Sequence, residues 1–213
     1  MSKADEYVFK ILLIGDRDVG KTKILDRFSD GVFDSMSISY IRVKLHSRSI
    51  ELDGKIVKLQ IWVSFDWFKP GILEVEVHPS VIDRYYKGVM GIMLIYDICN
   101  AKSFDNIKHH IRSIERHIQI EGAFRDVEIM LLGNKCDIED ERQVHKDTGE
   151  RFAAEHGMKF MEVSARASIN IEEAFFTLAR QIMNRKEDAT GSDDCTLEDG
   201  SDELRPKNSC VVQ

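Results

Sequence analysis

Proline is scarce in this 213-residue chain: there are three, and two of them, Pro70 and Pro79, fall in the one stretch from Ser64 to Val81. Basic charge is also short. Thirty Lys and Arg stand against 37 Asp and Glu, a net charge of −7, so no basic face for nucleic acid is expected. Long apolar runs are missing. The longest, Val89 to Ile95, falls far short of the ~20 residues a membrane helix needs. The opening Met1-Ser2-Lys3-Ala4-Asp5-Glu6 has no secretory apolar region and no Gly at the second position, so neither secretion nor myristoylation is expected. Four cysteines (Cys99, Cys136, Cys195, Cys210) without a secretory segment point to free thiols in a reducing compartment. No internal repeat is visible. What is present, 43% hydrophobic and 31% charged residues, excludes a collagen, a wholly disordered chain and a multi-pass membrane protein.

The apolar pattern alternates strand and helix. Tyr7 to Ile14 is a mostly apolar run ending at Gly15, which reads as a buried parallel strand, and a short helix is expected over Lys21 to Ser29. Val43 to Leu52 and Lys55 to Trp62 read as strands joined by Asp53-Gly54, a strong hairpin signal. Val89 to Asp97, Val127 to Gly133 and Lys159 to Ser164 read as further strands, with a helix ending near Gly157 before the last. Ile107, Ile111, Ile114 and Ile118 mark one face of a helix. A final helix is expected from Asn170, a favourable N-cap with Glu173 three residues on, through the stripe Ile171, Ala174, Phe175, Leu178 and Ile182. The fold class is α/β: about six strands, mostly parallel, with one antiparallel hairpin and helices on both faces. Residues 1–186 form the expected domain, interrupted by an atypical insertion at about 63–84, in which Leu73, Val75 and Val77 alternate with Glu74, Glu76 and His78. Residues 187–213 carry eight acids against two bases and few aromatics, which predicts a disordered acidic tail of net charge −6.

Two motifs carry chemistry. Gly15-Asp16-Arg17-Asp18-Val19-Gly20-Lys21-Thr22 follows a strand and opens a helix, fitting the phosphate-loop pattern G-x-x-x-x-G-K-[ST], with Lys23 next. Glycines let the backbone curl so that successive N–H groups point at one phosphate, and the helix N-terminus adds about half a positive charge. Lys21 would reach the β- and γ-phosphates, and the Thr22 hydroxyl would ligate Mg²⁺. The plain alternative is a tight strand-to-helix turn with an exposed lysine. The second motif, Asn134-Lys135-Cys136-Asp137, closes an apolar strand. Four residues alone are a weak signal, but they gain weight behind a phosphate loop. The Asp137 carboxylate can accept both N–H groups of guanine's Watson–Crick edge, whereas adenine would leave it unpaired, a difference on the order of 10⁴. Ser164-Ala165-Arg166, after the next strand, supplies backbone N–H groups for the guanine oxygen.

On these stretches, together with Leu59-Gln60-Ile61-Trp62, Tyr85-Tyr86-Lys87-Gly88 and Glu162 to Arg166, the chain resembles the Rab branch of the Ras-like small GTPases over about residues 7 to 184. The runs Lys102 to Ile107 and Ala174 to Arg180 are most similar to Rabs of post-Golgi traffic towards the plasma membrane. The resemblance implies the P-loop small-GTPase fold and a monomeric GTP/GDP switch on vesicles. It also implies effector proteins, an exchange factor and a prenyl-carrier protein as partners. Leu45, Trp62 and Tyr85 fall on the family's effector-facing trio, Leu45 replacing an aromatic; ordinary half-buried packing is the plain reading of the same three.

The departures from the family are concentrated at the switches. Tyr40 stands where the family's first switch carries a Mg²⁺-ligating Thr, and Arg42 and Lys44 replace its Gly and Asp. The family's D-x-x-G-Q after the Trp is replaced by Val63-Ser64-Phe65-Asp66-Trp67, which loses the metal-holding Asp, the γ-phosphate Gly and the water-orienting Gln. Asp66 folding back towards the metal stays open. In the phosphate loop Arg17 and Asp18 replace small residues. Asp18 adds negative charge unless paired, and Arg17 can offset it or obstruct the attacking water. The expectation is therefore guanine-nucleotide binding with weakened Mg²⁺ and impaired hydrolysis. No catalytic residue is assigned. The alternatives are a normally cycling GTPase with a rebuilt second switch and a nucleotide-independent adaptor scaffold. The chain ends Cys210-Val211-Val212-Gln213, a C-a-a-X box that predicts prenylation at Cys210, by farnesyl from its terminal Gln or by geranylgeranyl from the resemblance. One lipid on an acidic tail implies reversible attachment from the cytoplasm to the cytosolic face of a vesicle or the plasma membrane.

Overall fold

The computed structural model describes residues 7–29, 43–64, 85–119 and 127–191. Six strands form one sheet in the order β2-β3-β1-β4-β5-β6: β1 Tyr7–Gly15, β2 Val43–Leu52, β3 Lys55–Ser64, β4 Gly91–Asp97, β5 Glu128–Asn134 and β6 Lys159–Val163. All neighbours run parallel except β2 and β3. Those two turn through Asp53 and Gly54 at φ 51° and 79°, the paired left-handed geometry that a two-residue hairpin selects. The helices are α1 Lys21–Phe28, α2 Ala101–Asp105, α3 Ile107–Gln119, α4 Lys146–Glu155 and α5 Ile171–Gly191. None of them is long and apolar enough to cross a membrane.

The apolar runs are explained by burial on both faces of the sheet. Phe9, Ile11 and Leu13 of β1 pack into a core with α1 and α5, while Leu12 and Ile14 point the other way, to a second core under α3 and α4. Every residue of β4 is buried. On the first face Phe28 of α1 stacks on Phe175 of α5, ring centroids 3.9 Å apart. On the second, Ile107, Ile114 and Ile118 of α3 are buried, with Ile111 half-buried beside them. Each such side chain contributes about 1.5–3 kcal/mol.

Three expectations are corrected. First, β3 runs on to Ser64, so Val63 and Ser64 belong to the sheet and not to an insertion; Val63 pairs with Leu13 and Lys44, and its side chain is fully buried. Residues 65–84, including Asp66, lie outside the described residues, as do Tyr40 and Arg42. Second, Asn170 takes the N-cap place, its carbonyl accepting the Ala174 N–H, but its backbone is left-handed and its side chain does not cap the helix. Its φ is 54° and its amide donates to the Glu162 carbonyl, tying the helix start to β6. Third, α5 continues to Gly191, so Glu187–Gly191 are helical and not part of a disordered tail. The extension has tertiary support: Glu187 pairs with Lys55 of the hairpin, and Lys186 lies over the Phe9 ring. Residues 192–213, with Cys195 and Cys210, lie outside the described residues.

The order places β1 between β3 and β4, so successive connections leave it in opposite directions. In open α/β sheets that is where a crevice opens at the carboxyl ends of the strands. Gly15, Asp97, Asn134 and Val163 sit along that rim, with Asp97 opposite Asn134 and Asn134 opposite Val163.

Candidate nucleotide site

The loop between β1 and α1 is bent by left-handed residues: Asp18 has φ 62° and Gly20 φ 99°. Two glycines are required by space as well. A Cβ on Gly15 would come within 2.1 Å of the Ile95 carbonyl oxygen, and one on Gly20 within 2.3 Å of Asn134 Nδ2. Gly20 precedes α1 with no side-chain cap, and the first turn holds no acid. A helix start of that kind suits an anion. Lys21 is buried, and its Nζ donates to the carbonyls of Gly15 at 2.8 Å and Asp16 at 2.6 Å. An uncapped helix start beside a buried ammonium is a donor set that fits phosphate. Val19 is buried in the core. Arg17 and Asp18 face water, and their 3.6 Å ion pair is of the exposed kind that contributes little. Lys23 is exposed and lines, with Asp26 and Arg27, an open cleft of about 890 Å³ against the start of α5.

The base motif forms a mesh with this loop. Asn134 is buried; its Nδ2 donates to the Val19 carbonyl at 2.8 Å and its Oδ1 accepts the Ala165 N–H at 3.3 Å. One amide therefore joins three loops. Asp137 Oδ1 accepts the Ser164 hydroxyl at 2.6 Å, and the same hydroxyl oxygen accepts the Ala167 N–H at 2.8 Å, which orients the carboxylate. Lys135, at φ 69°, sends its Nζ to Asp97 Oδ2 at 2.5 Å, so its charge is spent on the protein and its stem remains as a packing surface. The Ser164 N–H bonds the Ile169 carbonyl and the Ala165 N–H bonds Asn134.

Several supporting residues escaped sequence reasoning. Arg27 Nε donates to the Ala165 carbonyl at 3.0 Å and its Nη2 to that of Arg166 at 3.3 Å, which pins this loop to α1. Asp97 is buried, holds Lys135 and accepts the Cys99 N–H. Arg142 grips Glu162 of β6 through both carboxylate oxygens, at 2.6 and 3.0 Å, while pairing with Glu139. Asp16 accepts from Asn106 Nδ2 at 2.6 Å and from His110 Nε2 at 2.8 Å. His110 carried a signal in the sequence, because 107, 110, 111 and 114 share a helix face and a histidine interrupts an isoleucine stripe. The others pair across the fold, and no local pattern marks them. Burial pushes the Cys99 and Cys136 thiols above their ordinary range, which keeps both protonated and unreactive at neutral pH.

Among the described residues the donor set for a metal is thin. Thr22 is half-buried at the start of α1, and no group of three His, Cys, Asp or Glu suited to a metal occurs among the described residues. Val63, the position expected above to lack a metal-holding carboxylate, is fully buried in the sheet. At the other side of the sheet Leu45 and Trp62 are register partners across β2 and β3, and Tyr85 meets Trp62 edge-on at 6.4 Å. The trio is thus contiguous, with Leu45 exposed, Trp62 half-buried and Tyr85 buried.

Residues 10–184 match the Ras family model. The human Ras-related protein Rab-8B is 52% identical over 185 residues, covering 87% of this chain and 83% of that protein. The rat Ras-related protein Rab-8A is 53% identical over 182 residues, covering 85% and 82%. The Ras-related protein Rab-8 of Diplobatis ommata is 51% identical over 185 residues, covering 87% and 82%.

Proposed function

The chain belongs to the Ras family of small GTPases as a Rab-type member, and from that footing we propose that it is a guanine-nucleotide-binding protein of vesicle traffic that hydrolyses GTP slowly. The mesh through Asn134 carries the binding half of this reading: a single amide holds the phosphate loop, the base motif and the Ser164–Arg166 loop in one arrangement. In it Gly15 to Lys23 cradle the phosphates, with Lys21 as the charge. Asn134, Lys135 and Asp137 read the base, and Ser164, Ala165 and Arg166 close over it. Mg²⁺, when bound, supplies charge neutralisation between the β- and γ-phosphates. Thr22 would hold it, with weaker support than usual, because Val63 is a buried strand residue and offers no oxygen. The burial of Val63 supports slow hydrolysis, since phosphoryl transfer depends on electrostatic positioning.

The membrane side of the reading rests on the C-a-a-X box. Prenylation of Cys210 gives reversible attachment to the cytosolic face of a vesicle or the plasma membrane. A prenyl-carrier protein shields the lipid in the cytoplasm, an exchange factor loads the nucleotide, and effectors dock near Leu45, Trp62 and Tyr85.

The test is a titration of purified protein with fluorescent GDP and GTP, with and without Mg²⁺, followed by single-turnover hydrolysis. Saturable binding with little turnover is expected. Turnover at the rate of ordinary relatives would instead make this a normally cycling GTPase, and absence of binding would make it a scaffold. Cys210→Ser is expected to leave the vesicle fraction and stay cytosolic.

A further inference from the structure

Asp16 belongs to the phosphate loop and carries a negative charge that a phosphate site must tolerate. Its two ends do different things. The backbone carbonyl accepts Lys21 Nζ at 2.6 Å. The carboxylate turns to α3, where Oδ2 accepts Asn106 Nδ2 at 2.6 Å and Oδ1 accepts His110 Nε2 at 2.8 Å. His110 is 3% exposed, on the buried face of α3 beside Ile107, Ile111 and Ile114. Asn106 is fixed in turn by the helix boundary, its N–H bonding the Lys102 carbonyl and its carbonyl accepting the N–H groups of His109 and His110. Both donors are thus rigidly mounted.

An ionised carboxylate only accepts, so the His110 nitrogen facing it must carry the proton. Burial pushes His110 below the usual histidine range against the pull of Asp16, with His109 and Lys21 adding to the lowering. A neutral ring protonated on Nε2 satisfies both conditions.

We propose that His110 is a positioning residue for nucleotide retention: with Asn106 it anchors the Asp16 carboxylate to α3, which leaves the Asp16 carbonyl to hold Lys21 and keeps that carboxylate from competing with phosphate for the Lys21 ammonium. This deepens the nucleotide-binding reading above and rests on it. Released from α3, the carboxylate stays on the same residue as one of the two carbonyls that Lys21 uses, and an ammonium prefers an ionised acceptor to a neutral one. The loop would then satisfy its own lysine, and a bound diphosphate would lose a partner.

The experiment measures release of fluorescent GDP from full-length protein by stopped flow, with thermal unfolding recorded for each variant. His110→Phe fills the space without a donor and is expected to speed release about tenfold, the scale of one lost charge-assisted hydrogen bond. His110→Gln restores an N–H donor and is expected to return release to within about threefold of wild type, a rescue that packing alone would not give. His110→Phe added to Asp16→Asn should be no faster than Asp16→Asn by itself, because the two act through one contact. Should His110→Phe fail to fold, Asn106→Ala and His110→Gln carry the same comparison: Asn106→Ala releases faster and His110→Gln does not. Unchanged release in His110→Phe, or equal acceleration in His110→Gln and His110→Phe, overturns the proposal while leaving nucleotide binding standing. Absence of saturable GDP binding in wild type overturns both.

Discussion

At the base-reading end of the cleft, Asn134, Asp137 and Ser164 each bond atoms of another loop, and the side chains are fixed by the protein itself. At the metal end, by contrast, the described donors stop at Thr22, and the strand position that could have added a carboxylate holds the buried Val63. The two ends were built under different constraints. Base reading uses side chains that also brace the fold, so it is costly to lose. On the proposed reading the metal end lacks a carboxylate at position 63, and the sheet around Val63 is intact all the same. That is how, on the proposed reading, binding would outlive turnover in one chain.

The sharpest way to break this contrast is Lys21→Ala. It removes the one buried ammonium of the loop and is expected to weaken GDP binding on the order of a thousandfold, as two or so charge-assisted bonds of about 1.5–3 kcal/mol each would imply. Isothermal titration checks it, and near-native affinity would mean that the loop is no phosphate cradle. Val63→Asp probes the other end. An unpaired carboxylate there lies in the sheet core, so a loss of about 3–5 kcal/mol in urea unfolding is expected, with no recovery of hydrolysis. A stable Val63→Asp that turns over GTP would erase the distinction between the ends.

Asn134→Ala should cost about 2–3 kcal/mol of stability, because it strands the Val19 carbonyl and the Ala165 N–H, and should weaken GDP binding as well. Stability loss without affinity loss would separate bracing from base reading. Arg27→Ala frees the Ser164–Arg166 loop from α1 and is expected to cost about 1 kcal/mol with a modest rise in GDP release. The smallest effect is that of pH. His110 titrates below its unfolded value, so the unfolded chain binds more protons as pH falls and stability declines below about pH 6.5; His110→Gln should flatten that slope.

The sheet was legible in the sequence because burial on both faces writes itself as apolar runs, and the hairpin because Asp53-Gly54 accepts positive φ at both positions. The phosphate loop and base motif were legible for a related reason: spacing along the chain fixes which groups reach the same rim. Element ends were less so. Periodicity is silent on where β3 stops, since Val63 continues the alternation while Ser64 is polar, and the reach of α5 to Gly191 brings Glu187 to Lys55, more than a hundred residues away in sequence. A local motif also cannot show that the Ser164 and Ala165 N–H groups meet the Ile169 carbonyl and the Asn134 side chain. Arg27, Asp97, Asn106 and Arg142 act across the fold, and only His110 left a local trace, a polar break in an isoleucine stripe.

The double duty of Asn134 bears on how relatives of this chain should be judged. A residue that rivets three loops together is retained by the demands of architecture alone, so its persistence in a diverged member says little about whether that member still carries cargo in its cleft. The bonds shown for Lys21 stay within its own loop and Asp137 meets one hydroxyl, so their presence is the better witness of continued use.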